Sequence, residues 1–130
     1  MGKWNVDAFA RPGVLRLSLE GKITHDEMTA FVDAHNRAID NFAGDDYKVW
    51  CDISRLQTLD KECADLFEKA KQYSNAHPNF RGSAVLVASA VVAMQHRRTS
   101  VGSGVMSTEL ISEDPLALER HLRTVYRRSE

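Results

Sequence analysis

The clearest indication of the fold is the sequence YKVWCDI at residues 47–53. The stretch is short and rich in aromatic and β-branched side chains, which is typical of a strand at the centre of a sheet. Beyond it, Asp60 is placed to cap a helix, because its carboxylate can accept from the free N–H groups of a first turn. Apolar side chains then recur at helical spacing: Cys63, Leu66, Phe67, Ala70 and Tyr73. A buried strand followed by an amphipathic helix predicts one βα unit of an α/β sheet.

The residues before this unit predict two strands and a helix. Residues 4–8 alternate apolar and polar side chains, and the turn sequence RPG at 11–13 leads into the apolar run 14–19, so we expect a hairpin. Thr24, followed three positions later by Glu27, has the signature of a capping box. The helix that it opens has one apolar stripe, on which a histidine is expected to be packed: Met28, Phe31, Val32, His35, Ile39 and Phe42.

The residues after the unit predict two more strands, each followed or preceded by a helix. Residues 83–88, SAVLVA, are typical of a second buried strand, and Ser89 can cap a short helix that runs to about Thr99. Residues 105–111 are predicted as the last strand, and Asp114-Pro115 is a typical start for the final helix. The predicted order is β-β-α-β-α-β-α-β-α. It favours one α/β domain spanning residues 1–130, with helices covering at least one face of the sheet.

Composition excludes several classes of protein. The chain has 130 residues and a net charge of −1, which argues against a generally basic nucleic-acid binder and against a disordered tail. The longest uncharged stretch, residues 82–95, is shorter than the roughly 20 residues that span a bilayer, so no transmembrane segment is expected. The start of the chain lacks the pattern of a secretory signal. Cys51 and Cys63 are expected to be reduced and buried, as in a cytoplasmic protein.

Motifs that would indicate catalysis are absent from the sequence. No glycine-rich nucleotide loop follows a strand, and no serine lies in a nucleophile elbow. The five histidines are scattered, and none is spaced from another histidine or a cysteine as metal ligands are. We therefore expect a protein that is not an enzyme and that has no metal ion and no cofactor.

Four stretches together are similar to one known family. They are residues 14–24, a strand, a glycine and a helix start; residues 49–60; residues 84–87 before a short helix; and residues 108–115 before the last helix. Over most of the chain this pattern resembles the STAS domain family, which includes bacterial anti-sigma-factor antagonists, and especially its STAS-like branch related to Sec14-like modules. The resemblance implies a mixed β-sheet of four to five strands with an antiparallel N-terminal hairpin, the other strands mostly parallel, and helices packed mainly on one face.

The resemblance also implies a function by binding. In antagonist members, a serine that follows an aspartate at the start of the helix after the central strand is phosphorylated by a partner kinase. Here Asp60 matches that aspartate, but Lys61 stands at the serine position and Cys63 replaces a glycine. Since lysine cannot accept this phosphate, the phosphorylation switch is not carried over, and no phosphorylation site is assigned.

The sequence leaves two functions open. The first is a regulatory protein–protein interaction module whose partner is not identified. Such a module would dock through the helix at residues 91–98 and through the loop and helix start after the central strand. The residues predicted to bind in that loop and helix start are Ser54, Thr58, Asp60, Lys61 and Glu62. The alternative is a binder of a small apolar or lipid-like ligand between sheet and helices, lined by Met28, Phe31, Phe67 and Met94. With either function, the sequence allows a homodimer, because Trp4 and Phe9 lie on a predicted edge strand.

Overall fold

A computed structural model of the protein describes residues 2–125, and the predicted domain span of 1–130 extends beyond them at both ends. Strands and helices follow one another in the predicted order. The strands are β1 Lys3–Arg11, β2 Val14–Gly21, β3 Tyr47–Leu56, β4 Phe80–Leu86 and β5 Glu109–Ser112. The helices are α1 His25–Asn41, α2 Lys61–Asn75, α3 Ala90–Ser103 and α4 Pro115–Thr124.

The strands form one mixed sheet in the order β1-β2-β3-β4-β5. β1 pairs with β2 antiparallel as the predicted hairpin, and β3, β4 and β5 each join in parallel. The turn between β1 and β2 is made at Gly13, whose φ of +71° is open to glycine and strained for other residues. The predicted mixed α/β sheet is confirmed.

The two faces of the sheet are covered unequally. Successive strand residues point to opposite faces. One face and the helices α1, α2 and α3 share the main core, which includes Leu15, Leu17, Cys51, Phe31 and Phe67. The other face carries α4, whose Leu118 and Leu122 pack on Val14 and Ala84. Three helices on one face and one on the other agree with the prediction that the helices pack mainly on one side.

Local capping chemistry sets the starts of α1 and α2 as predicted. The Thr24 hydroxyl accepts from the Glu27 N–H at 3.1 Å, and the Glu27 carboxylate accepts from the Thr24 N–H at 2.8 Å. Asp60 Oδ1 accepts from the Cys63 N–H at 2.8 Å, so Asp60 is the cap of α2. His35 is buried and packed on Phe31, as the sequence predicted.

The region between α3 and β5 differs from the prediction. α3 continues to Ser103, residues 106–108 form a short 3₁₀ turn, and β5 begins only at Glu109, so the predicted strand at 105–111 was wrong in its first half. The helix continues because Thr99, Ser100 and Ser103 pack inward, although they are not apolar. It ends at Gly104, which adopts a left-handed φ of +83° and donates its N–H to the Ser100 carbonyl.

Candidate functional site

The loop between β3 and α2 is fixed to α3 by one side chain. This β3–α2 loop comprises residues 57–60. The Leu59 N–H donates to Gln95 Oε1 at 2.8 Å, and Gln95 Nε2 donates to the Leu59 carbonyl at 2.6 Å. The side-chain amide of Gln95 thus serves as the hydrogen-bond partner of both the backbone N–H and the backbone carbonyl of Leu59. As a result, the loop, the start of α2 and α3 form one continuous surface.

Four of the five predicted binding residues lie on this surface. Thr58, Asp60, Lys61 and Glu62 are exposed along the loop and the first turn of α2. The side chain of Lys61 is 89% exposed and donates a hydrogen bond to Asp65 on the next turn, at 3.1 Å. A surface ion pair of this kind contributes little to stability, so Lys61 is available to a partner.

Ser54 is placed elsewhere. It lies at an irregularity of β3, where the register with β2 shifts. Its hydroxyl donates to Asp52 Oδ1 at 2.6 Å and its N–H donates to the same oxygen at 3.0 Å. Asp52 belongs to the face of the sheet that faces away from α3, where it lines a cleft with Asn5 and Arg16. The hydroxyl of Ser54 therefore stabilises a local turn and is not part of the α3 surface.

The packing of helix α3 is partly inverted. It buries Val92 and Ala93 together with four polar side chains, His96, Thr99, Ser100 and Ser103, whereas three larger apolar side chains lie outside. Val91 and Val101 are each 62% exposed, and Met94 is 54% exposed. An ordinary surface helix buries its apolar stripe and exposes its polar side chains. Met94 was expected to line an internal pocket; it lies outside, because the buried face of α3 is formed by Val92, Ala93, His96 and three hydroxyl side chains, and Met94 is on the other side of the helix.

The exposed apolar residues of α3 form a stripe with a positive charge in it. Residues 91, 94, 98 and 101 are spaced three or four apart, so Val91, Met94, Arg98 and Val101 share one face of the helix. We call these four residues the α3 stripe. Arg98 is exposed, and its side chain makes no hydrogen bond or ion pair with any of residues 2–125. Arg97, also exposed, adds a second positive charge beside the stripe.

A polar cluster beneath α3 was not anticipated from the sequence. Glu109, whose side chain is 3% exposed, points into the core from β5. It accepts a hydrogen bond from the hydroxyl of Ser100 and one from the hydroxyl of Ser83 at 3.3 Å. Lys71 of α2 lies with its ammonium 3.2 Å from Glu109 Oε2 and 2.6 Å from the Ser100 hydroxyl. We call Lys71, Ser83, His96, Ser100 and Glu109 the core polar cluster; it ties α2, α3, β4 and β5 together.

Burial and neighbouring charges strongly shift the titration of this cluster. Burial, reinforced by the nearby Lys71 ammonium, lowers the pKa of His96 to about 4, so the ring is neutral at neutral pH. Burial alone would raise the pKa of Glu109, but the His96 ring, the Lys71 ammonium and the Ser100 hydroxyl outweigh it and lower the pKa to about 2. Burial lowers the pKa of Lys71, while the Glu109 carboxylate opposes that change.

The cluster gives the protein an expected acid sensitivity. The folded-state pKa of His96 lies below its unfolded value of about 6.5, so the unfolded chain binds more protons between these pH values. Stability is therefore full above about pH 6.5 and is lost as the pH falls toward 4, by roughly 2–3 kcal/mol from His96. Urea unfolding at a series of pH values measures this slope. His96→Phe should flatten it, and an unchanged slope in that variant would contradict the assignment.

The space between the sheet and the helices is small. The cavity beside the core polar cluster has a volume of about 30 Å³ and is lined by His96, Lys71 and Glu109 as well as by apolar side chains. That volume holds one or two water molecules. Met28, Phe31 and Phe67, proposed from the sequence as pocket residues, are buried in the packed core. The cavity is therefore far smaller than the several hundred cubic ångströms that the alternative of an apolar or lipid-like ligand needs.

The two cysteines are buried and unpaired, as expected. Burial raises the pKa of the Cys51 thiol to about 12 and that of the Cys63 thiol to about 11, so neither forms a nucleophilic thiolate at neutral pH. Among residues 2–125, no three His, Cys, Asp or Glu side chains come together as a metal site would require. No helix in the same part of the chain has the length and apolar character to cross a membrane.

Comparison with known proteins identifies the architecture. No family model matches the chain, and no curated protein matches it in sequence. Among solved structures, an uncharacterized DUF3478-family protein from Shewanella loihica PV-4, described as having a SpoIIAA-like fold, superposes with a TM-score of 0.65. The match covers 93% of each chain at 16% sequence identity. This chain has a SpoIIAA-like fold, which confirms the STAS-like architecture that the sequence resemblance implied.

Proposed function

We propose that this protein is a regulatory module without catalytic activity of its own, and that it binds another protein through the α3 stripe and the adjoining β3–α2 loop. The single observation that carries the proposal is the partly inverted packing of α3. Three large apolar side chains on one helical face stay in contact with water unless something covers them, and such patches mark interaction sites more often than isolated apolar residues do.

The charges of the surface favour one kind of partner. Arg98 lies within the α3 stripe and Arg97 lies beside it, and Lys61 is exposed at the start of α2. A partner segment that packs apolar side chains on Val91 and Met94 therefore benefits from a carboxylate placed opposite Arg98, since an unpaired guanidinium would otherwise be desolvated. We infer an amphipathic acidic segment, most simply a helix, as the partner's contact.

The fold supports this class of function at a coarse level. A SpoIIAA-like fold is consistent with a module that resembles anti-sigma-factor antagonists and acts by binding. Because Lys61 stands where antagonists carry their phosphorylated serine, we propose that the interaction here does not depend on phosphorylation at that position. Two buried free cysteines are typical of a reducing compartment, and we place the activity in the cytoplasm.

Arg98→Glu tests the proposal, with Lys69→Glu as its matched control. Both replace an exposed positive charge with a negative one, but Lys69 lies on α2 outside the α3 stripe. The wild-type protein is used to retain partners from a lysate of the source organism, and the retained protein is identified, purified and titrated by calorimetry. We expect Arg98→Glu to raise the Kd at least about tenfold and Lys69→Glu to change it by less than about twofold.

Two outcomes would overturn the proposal. One is that the wild type retains no protein that binds again as a purified component. The other is that the purified partner binds Arg98→Glu as tightly as the wild type, which would place its contact elsewhere on the surface.

A further inference from the structure

The edge strand β1 has a regular half, residues 3–7, and an irregular half, residues 8–11. Lys3 to Asp7 pair one-to-one with β2, from Lys3 opposite Glu20 to Asp7 opposite Arg16, and the register then shifts before Arg11. In the irregular part, Asp7 Oδ1 accepts from the N–H groups of Phe9 and Ala10, at 2.8 and 3.1 Å. In the described sheet β1 pairs only with β2. The outward backbone groups of residues 3–7 are therefore left as an open template for another strand.

The charges on this regular half are arranged symmetrically. Its central residue is Asn5, with Lys3 two positions before it and Asp7 two positions after it. Residues two apart in a strand point to the same face, so these three side chains share one face of the sheet. Isolated charges on an edge normally discourage strand pairing. Opposite charges at equal distances from a central residue instead favour pairing with an antiparallel copy of the same strand, because each positive charge then lies opposite a negative one.

We propose that two copies of this chain pair through β1 about a two-fold axis at Asn5. Antiparallel pairing with that centre sets Lys3 opposite the second copy's Asp7 and Asn5 opposite itself. Within each copy, Lys3 also lies opposite Glu20 of β2, and Asp7 lies opposite Arg16. Across the four strands, a row of side chains then contains Glu20 and Lys3 of one copy followed by Asp7 and Arg16 of the other, so negative and positive charges alternate. The two-fold axis produces this row twice. The two five-stranded sheets become one ten-stranded sheet.

The opposite face of β1 is compatible with the same pairing. The centre at Asn5 sets Trp4 opposite the second copy's Val6, and both side chains are half-buried against the main core in the single chain. Phe9, which is 90% exposed, lies beyond the paired segment and next to the start of the second copy's β1. Aromatic and β-branched cross-strand pairs stabilise such a seam. A centre at Val6 would instead oppose Lys3 to Phe9 in the irregular part and would form neither ion pair.

Cysteine cross-linking tests the register. In the proposed dimer, Asn5→Cys sets two thiols directly opposite each other. Added oxidised glutathione accepts two electrons and two protons from these thiols, which form one disulfide while two molecules of reduced glutathione are released. Lys3→Cys is the control, because the register separates its two copies by four residues, roughly 13–14 Å along the strands, beyond the span of about 7 Å between Cα atoms of a disulfide. We expect a covalent dimer from Asn5→Cys and none from Lys3→Cys. The native cysteines are buried and do not compete.

Light scattering after size exclusion tests the charges. The wild type should have about twice its chain mass of 14.6 kDa. Lys3→Glu, whose side chain is exposed, should weaken the dimer at least about tenfold because both rows change from attraction to repulsion, while Lys69→Glu should leave it unchanged. A monomeric wild type at every soluble concentration would overturn the proposal. So would a dimer that Lys3→Glu does not weaken, or one that cross-links equally well through Lys3→Cys.

Discussion

Glu109→Leu is expected to lower the free energy of unfolding by about 3–5 kcal/mol, the largest loss of stability that we predict from one substitution. Among residues 2–125, the buried ammonium of Lys71 forms its one ion pair with the carboxylate of Glu109. Leucine leaves that ammonium in the core without its paired carboxylate and removes an acceptor from the hydroxyls of Ser83 and Ser100, the second of which keeps the His96 carbonyl. Leaving one partner of a buried ion pair uncompensated costs much more than losing a surface pair.

Urea unfolding followed by circular dichroism measures this change. Glu113→Leu is the matched control, since Glu113 is exposed in the turn before α4, and it should change the unfolding free energy by less than about 0.5 kcal/mol. Adding Lys71→Met to Glu109→Leu should recover part of the loss, because the unpaired charge is then gone. A loss below about 1 kcal/mol in Glu109→Leu would contradict the description of the core polar cluster as buried and paired.

Met94→Asp is expected to weaken binding of the protein partner by at least about a hundredfold. Met94 lies in the α3 stripe between Val91 and Arg98, where we place the apolar contact of the partner. An aspartate there must be desolvated against apolar side chains, and it also draws Arg98 away from the partner's carboxylate. Because Met94 is more than half exposed, the same substitution should barely affect folding.

Calorimetric titration of the purified partner measures this loss. Leu116→Asp is the matched control: Leu116 is 71% exposed on α4, on the opposite face of the sheet from α3. It should leave the affinity within about twofold of the wild type. Equal losses in both variants would point to a general effect of added charge, and no loss in Met94→Asp would remove the α3 stripe from the interface.

Local chemistry made most of the fold predictable from the sequence. Helix caps depend on only a few neighbouring residues. Thr24 with Glu27 sets the start of α1, and Asp60 sets the start of α2. The apolar stretch at residues 47–53 could be placed in the centre of the sheet because few other environments would accept it. Four of the five predicted binding residues lie together, because the loop after β3 and the first turn of α2 are adjacent in the chain.

The features that the sequence did not predict depend on contacts between distant parts of the chain. Lys71 and Glu109 are separated by 38 positions, and neither has a local neighbour that indicates its partner. Ser100 and Ser103 look like loop residues in the sequence, but in the fold the Ser100 hydroxyl donates to Glu109 and the Ser103 hydroxyl donates to the Ser100 carbonyl, which is why the predicted α3 ended too early. Met94 was expected to lie inside because apolar side chains usually do, and α3 is packed partly in the opposite sense.

Photo-cross-linking from position 94 determines whether a partner covers the α3 stripe in the cell. A photoreactive amino acid such as benzoylphenylalanine is incorporated in place of Met94, or in place of Leu116 as the control, and the protein is irradiated in cells of the source organism. The proposal predicts one cross-linked protein from position 94 that is absent from position 116, joined through an apolar segment that carries a carboxylate. No cross-link from position 94, or the same set of proteins from both positions, would contradict the claim that this protein binds its partner through α3.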